Sequence, residues 1–502
     1  MTGKRLLVTL QWIAAGMLGL FLPFTSFPLV ARLTGSSMVA PLSILPLGAL
    51  VLLWLVPFVL RSGRFAPQVK PLLAFALVGL ISSAAAFFLT VPSYKDASLL
   101  SSEVKAISTL VIGLLFYLVV ASWANSTDRL CFLLRWINWS GVIVIGWSLV
   151  QALTWYRLHG HPEWMWNFQG QMVTSLLLYG QRASGFAYEP SWLAHQLNML
   201  YLPVWLAAAV SGFSAHRFRL WKVRFEHLLL LGGIAVLVLS VSRIGMLTFL
   251  MMVAFLILIL NIRLIRWLQE RLTRHIQPGD RRLFLTRRWI AAGSIAVLLV
   301  VYAGLLFGAA YGLSQYDARM KRLFDFGTLR EQSFLEYANQ LVFAERLVFW
   351  QAGWEVFNDY PVLGVGLGNA GYYFPEKLSA FSWGLTEIRT LMYRQTALPN
   401  IKSLWVRLLA ETGIVGFALF VCWCYLLWQS AQFLRGHRQP IYQMVGLVGG
   451  FALIGLLIEG FSLDTFALPY FWITFGVLSA GCELARRMRL EQAGALPPPL
   501  ID

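Results

Sequence analysis

The feature that most constrains this chain is a succession of about twelve apolar runs, each close to the ~20 residues that a helix needs to cross a bilayer. They lie near 6–27, 39–60, 71–90, 105–123, 137–155, 190–212, 227–242, 244–262, 289–312, 404–428, 441–460 and 465–482. Composition agrees. Of 502 residues, 58% are hydrophobic and 13% charged, where a soluble domain carries roughly a quarter charged residues. The expected fold class is an all-α polytopic membrane protein. Only one stretch, 316–402, is long and polar enough to hold structure outside the spans.

The net charge of +17 would point to nucleic acid in a soluble protein. Here the basic residues alternate with the spans. One set of loops holds Lys4 and Arg5; Arg61, Arg64 and Lys70; Arg129 and Arg135; Arg217 to Arg224; Arg263 to Arg288; Arg435 and Arg438; and Arg486, Arg487 and Arg489. The opposite set is poor in Lys and Arg apart from the long loop. By the positive-inside rule both termini are expected in the cytoplasm. The organisation that follows is nine spans with short loops (1–315), a large extracytoplasmic loop (316–402), three further spans (403–485) and a cytoplasmic tail (486–502). The basic 261–288 loop has no aromatic interleaving suited to bases, so anionic lipid headgroups are its expected partner and nucleic acid is not. Lys4-Arg5 and the run behind it are read as the first span, because no small-residue cleavage site follows. Cys131, Cys422, Cys424 and Cys482 fall in or near spans, and no disulfide or metal site is expected from them.

Within the long loop, Phe334, Ala338, Leu341, Val342, Phe349 and Trp350 recur near helical spacing, which predicts an amphipathic helix from about Glu331 to Phe357. Asp359-Tyr360-Pro361 is a stop signal, and Leu363-Gly364-Val365-Gly366-Leu367-Gly368 a turn. No strand precedes these glycines and no Lys-Ser/Thr follows them, so a nucleotide-binding loop is not expected.

Four stretches carry groups with chemical potential. Arg182-Ala183-Ser184-Gly185 runs to Glu189-Pro190-Ser191, where Pro and Ser suit a helix start. Arg182 and Glu189 form either an ion pair that orients the loop or a site at the mouth of the helices. Ser242-Arg243 joins two spans with almost no loop, so Arg243 must pair, snorkel or face a cavity. Arg346 precedes Trp350 and the glycine turn, and its guanidinium can grip phosphate with two donors. Lys402 leads into a span in which Arg407 and Glu411, four residues apart, are expected to pair.

Taken in order, Arg182-x-x-Gly185, Ser242-Arg243, Arg346-x-x-x-Trp350 with Pro361-x-x-Gly364-x-Gly366, and Leu409 to Gly416 resemble the O-antigen ligase and O-antigen polymerase superfamily over roughly residues 180–480. The resemblance implies a GT-C-like arrangement of about 12 transmembrane helices. It also implies transfer of glycan from undecaprenyl diphosphate at the periplasmic face of a bacterial inner membrane. Ligases of the superfamily carry His-Asn where this chain has Lys402-Ser403. The resemblance therefore leans to polymerisation of lipid-linked repeat units into O-antigen or exopolysaccharide. The alternatives are a ligase adding glycan to lipid A-core or protein, and a flippase for the same lipids. A flippase would show charges along a central cavity and two similar halves.

That reaction places negative charge on a departing lipid diphosphate. Arginines suit it, since they stay charged and offer forked donors. Arg182 and Arg346 are the expected catalytic cations, with Arg243 and Tyr188 in the substrate-binding set. Glu189 is the expected general base, with Lys402 as an alternative base or a third phosphate contact. Asp464 and His195 are held in reserve. Trp155, Trp164, Trp166, Tyr372, Tyr373 and Trp383 are candidates either for stacking on sugars or for an interfacial belt. No metal and no cofactor are expected. The expected partners are the lipid-linked donor and acceptor, the bilayer and a chain-length regulator.

Overall fold

The computed structural model describes residues 2–36, 38–272, 281–315, 343–395 and 397–492. Among the described residues, helix dominates. Strand is limited to Arg219–Leu220 paired antiparallel with Val223–Arg224, plus a single bridge between Ser26 and Ala40. The chain is an all-α multi-pass membrane protein.

Eight described helices are long and apolar enough to cross a bilayer: Val69–Ala86, Leu99–Trp123, Thr127–Leu158, Pro190–Ser211, Arg243–Leu272, Leu285–Leu305, Leu404–Arg435 and Pro440–Glu459. The other four expected spans meet helices that fall short of that standard. Arg5–Leu20, Ile44–Leu60 and Phe225–Leu239 are apolar but shorter. Tyr470–Gln492 begins five residues after the expected start and carries Glu483, Arg486 and Arg487 in its second half. The first expected span also ends early. Thr2–Leu20 stops ahead of Pro23, and residues 24–27 run extended beside 40–42, with Phe27 N donating to Ala40 O at 2.8 Å and Leu42 N to Phe24 O at 3.1 Å. Pro23 and Pro28 make continuation of that helix unfavourable.

Two prolines inside spans are accommodated by one device. Pro57 and Pro203 each stand just past a wide π-turn, Val51–Leu55 and Leu197–Tyr201. A proline cannot bond the carbonyl four residues back, and in hydrocarbon that carbonyl needs another donor. Gln11 Nε2 reaches Leu53 O at 2.8 Å, and Thr474 Oγ1 reaches Met199 O at 2.8 Å.

Two compact units are distinguished. The first comprises Met1–Met246 with Val348–Asp502. Its core is built from large aromatics, with Trp123, Trp205, Trp423, Trp472, Tyr117, Tyr201 and Tyr470 all fully buried. Pro190–Ser211 runs through this core with 89% of its apolar window buried, which makes it the central helix of the unit. The second unit, Leu247–Leu347, holds most of Arg243–Leu272 and all of Arg281–Ser314. Exposed Ile295, Val297, Leu299 and Val300 suit lipid contact.

The expected amphipathic helix appears as Ala344–Asp359, and it stops where Asp359-Tyr360-Pro361 predicts. Val348, Phe349, Ala352 and Val356 form its buried face. The expected start from Glu331 and the polar stretch 316–342 lie outside the described residues.

Candidate functional site

The Arg182–Ser191 segment is held from three sides. Gln151 of Thr127–Leu158 accepts from Ser184 N at 3.1 Å and Gly185 N at 2.9 Å. Its amide nitrogen, with that of Gln169, donates to Gly185 O at 3.2 and 3.1 Å. Gly185 sits at φ 57°, a conformation in which a Cβ is disfavoured. Thr25 Oγ1, in the extended stretch after the first helix, accepts from Tyr188 N at 2.8 Å. On the third side Ala183 N donates to Leu239 O at 2.9 Å, and Arg182 Nε donates to Ser240 O at 3.1 Å.

Ser240 opens the corner that leads to Arg243. Val241 turns the chain at φ 48°, Ser242 N donates to Ser240 Oγ at 3.3 Å, and Ser242 Oγ accepts from Gly245 N at 3.3 Å. Arg243 thus stands in the first turn of a serine-capped helix, and Arg182 is bonded to the same corner. Two guanidinium-bearing segments and a helix N-terminus meet there, a combination suited to anions. Pro190–Ser211 starts at Pro190 as expected, with Glu189 just before it, and the Glu189 carboxylate accepts from Ser191 Oγ. Burial pushes the Tyr179 phenol above the usual tyrosine range, the Glu189 charge adds to this, and Arg182 opposes it. Both charges are therefore felt at one phenol. The Tyr188 ring lies 5.6 Å from that of Trp192. Beside the segment is an apolar groove of about 420 Å³ lined by Ile143, Gly146, Trp147, Val150, Trp164, Phe168 and Phe186.

The glycine turn has a packing role. Leu404–Arg435 breaks at Gly413 (φ 62°, ψ −168°), and the loop backbone lies along the break. Val365 N donates to Ala410 O at 3.0 Å, Gly366 N to Glu411 O at 3.0 Å, and Ile414 N to Pro361 O at 2.8 Å. A Cβ on Gly413 would lie 2.2 Å from Val362 O, and one on Gly364 2.5 Å from the Glu411 carbonyl carbon. Gly366 N and Leu367 N also reach Ser82 Oγ and Ser83 Oγ at 3.1 and 3.0 Å. These amides are committed to protein acceptors, as a structural turn requires.

Just before Leu404–Arg435, Lys402 is held through its backbone N and O and its Nζ. It adopts φ 56°, a strained conformation for a side-chain-bearing residue. Its N donates to Asp464 Oδ2 at 3.3 Å, and its O accepts from Trp350 Nε1 at 3.5 Å. Its Nζ pairs with Glu387 and lies 4.7 Å from the Phe349 ring centre. Trp350 and Lys402, from two separate motifs, therefore meet. Glu387 is a partner that the sequence reading missed. It lies in the irregular 380–395 stretch, where no periodicity marks it. Arg407 and Glu411 pair as expected, at 2.9 Å. Arg346 is partly buried in the first turn of Ala344–Asp359 and belongs to the Leu247–Leu347 unit.

Two of the sugar-stacking candidates need correction. Tyr372 and Tyr373 are 2% and 3% exposed, so their rings pack inside the protein; Ser102 Oγ lies 3.0 Å from the Tyr372 hydroxyl. They belong to the tightly docked turn after Gly371, whose Cβ position would lie 2.2 Å from Pro399 O. Trp164 and Trp166 remain exposed, at 56% and 39%. Of the reserves, Asp464 serves Lys402 through its carboxylate, and His195 is buried beside Glu459.

Fold and site together define a multi-pass helical membrane protein with cationic groups gathered where its helices begin. Residues 228–421 match the O-antigen ligase family, a segment that holds Arg243, Arg346, Lys402 and Gly413. Over that segment the match agrees with the expected O-antigen ligase/polymerase superfamily and supports a membrane enzyme of that general type. No curated protein matches the chain.

Proposed function

We propose that this protein polymerises undecaprenyl-diphosphate-linked oligosaccharide units at the periplasmic face of a bacterial inner membrane. The observation that carries this reading is the bond from Arg182 to Ser240 O, which ties the Arg182 segment to the corner bearing Arg243. A lipid diphosphate there would meet forked donors and helix amides as its charge grows. Arg346 is the proposed further donor. Glu189 would take the acceptor's proton, and Tyr188 beside it would contact sugar. The apolar groove flanked by Phe186 suits an isoprenoid chain. The reaction forms a bond from an acceptor hydroxyl oxygen to the sugar's anomeric carbon. It breaks that carbon's bond to the diphosphate, which leaves with the electron pair.

Lys402-Ser403, where ligases carry His-Asn, supports polymerase over ligase. A Lys402 ammonium held by Glu387 and over Phe349 is suited to contacting an anion. The name of the matched family favours a second reading, single transfer to lipid A-core or protein. Purified protein in nanodiscs, given lipid-linked repeat units, distinguishes the two. A ladder of lengths supports polymerase. One transfer to a different acceptor supports ligase, and no glycan product from any acceptor overturns both.

Lys402→Ala is expected to lower transfer about 10²-fold, in the range for losing one preorganised electrostatic contact. Lys402→Arg should retain part of the rate. The check is single-turnover kinetics at saturating donor; an unchanged Lys402→Ala rate removes this residue from the site.

A further inference from the structure

Inside the unit of Met1–Met246 with Val348–Asp502 lies a polar knot that the proposed transfer does not use. Glu459 ends Pro440–Glu459 and is 1% exposed, while His195 and Asn198 of Pro190–Ser211 are 3% and 0% exposed. His195 Nδ1 stands 3.6 Å from Glu459 Oε2. Asn198 Nδ2 donates to Glu459 Oε1 and to Gly245 O, each at 2.8 Å. Among the described residues, neither His195 nitrogen has a hydrogen-bond partner.

The placement of this knot matters. Gly245 is two residues beyond Arg243, and a Cβ on it would lie 2.5 Å from that of Ala194, so the two helices touch there. Asn198 therefore grips the first turn of the Arg243 helix. On the other side, the residue after Glu459 is Gly460, whose carbonyl accepts from Leu404 N at 2.6 Å, directly after Lys402-Ser403. The same turn brings Asp464 to Lys402 N at 3.3 Å. One buried carboxylate thus stands between the Arg243 corner and the Lys402 turn.

A buried carboxylate without partners is strongly disfavoured. Glu459 has Asn198 Nδ2 at 2.8 Å and His195 Nδ1 at 3.6 Å. The Tyr470 ring centre lies 6.1 Å from that of His195. Tyr470 donates its hydroxyl to Leu22 O at 3.1 Å.

We infer that Glu459, held beside His195 and acting through Asn198, is a positioning residue that keeps the Arg243 corner in register with the Lys402 turn. The inference rests on the transfer reaction proposed above. It assigns Glu459 no contact with substrate.

Glu459→Gln keeps the acceptor for Asn198, whereas Glu459→Ala removes it. Two measurements are made in nanodiscs on wild type and both variants: kcat with donor KM, and hydrogen exchange of the backbone amides at 243–246 and 402–404. Glu459→Gln should retain kcat within a few-fold and keep those amides protected. Glu459→Ala should lower kcat by up to ~10²-fold with donor KM little changed, as misplacement of reacting groups does, and should expose both sets of amides. Wild-type kcat and KM in Glu459→Ala would overturn the inference. So would a Glu459→Gln loss equal to that of Glu459→Ala. If wild type transfers no glycan at all, the proposed reaction fails, and the exchange comparison still decides whether the carboxylate ties the two turns together.

Discussion

Arg182→Ala and Arg346→Ala are each expected to abolish polymer formation while the protein still inserts and folds. Removing one preorganised donor from a developing negative charge lowers a rate by about 10²–10³, or ~2.7–4 kcal/mol. A ladder that needs many successive transfers would vanish at that loss. Folding should survive. The described bond of the Arg182 side chain, to Ser240 O, is worth about 1 kcal/mol. The rest of its segment is held through Gln151, Gln169 and Thr25. Lysine at either position should recover part of the rate, because it keeps the charge and loses the fork. The check is product length from purified variants in nanodiscs, beside their unfolding midpoints. Full-length polymer from either well-inserted alanine variant takes that residue out of the mechanism.

Gly413→Ala should be strongly destabilising. Its backbone lies at φ 62° and ψ −168°, a region that is essentially glycine's alone and costs other residues about 1–3 kcal/mol. The added Cβ would also meet Val362 O at 2.2 Å and Leu363 N at 2.6 Å, both backbone atoms that cannot swing aside. Overpacking of that kind costs a further ~1–3 kcal/mol. The loop from Pro361 to Gly366 would separate from the broken helix. Ser82 Oγ would then lose the Leu363 O it donates to and the Gly366 N it accepts from at 3.1 Å. Gly293→Ala is the control, since nothing lies within 4 Å of its Cβ position. There alanine should be neutral or slightly favourable, by up to ~1 kcal/mol in a helix. Unfolding midpoints of the two variants test this, and equal midpoints would show that the break at Gly413 does not constrain the loop.

Much of the architecture was legible from local pattern. Run length marked the spans, Pro190 marked a helix start, and Asp359-Tyr360-Pro361 marked a helix stop. Arg407 and Glu411 pair because four residues bring side chains onto one helix face. Hydropathy alone overextended the first span, since it counted Phe21 to Phe27 as helix where Pro23 and Pro28 disfavour its continuation. It also left Tyr372 and Tyr373 as surface candidates. Their burial depends on what packs over them, and no local pattern records that.

The candidate site was legible as residue types and not as contacts. Arg182 finds Ser240 across 58 residues, and Asn198 finds Glu459 across 261. Lys402 meets Glu387 and Phe349, which stand in two different segments of the chain. Membership of a membrane-spanning helical class, the supply of arginines and the glycines were determined by the amino-acid order itself. The reason is that bilayer thickness and backbone hydrogen bonding act on each segment separately. Which polar groups face one another was decided by tertiary structure. A buried hydrogen bond or ion pair depends on distance in space, and helices far apart in the chain can supply its two halves equally well in many packings.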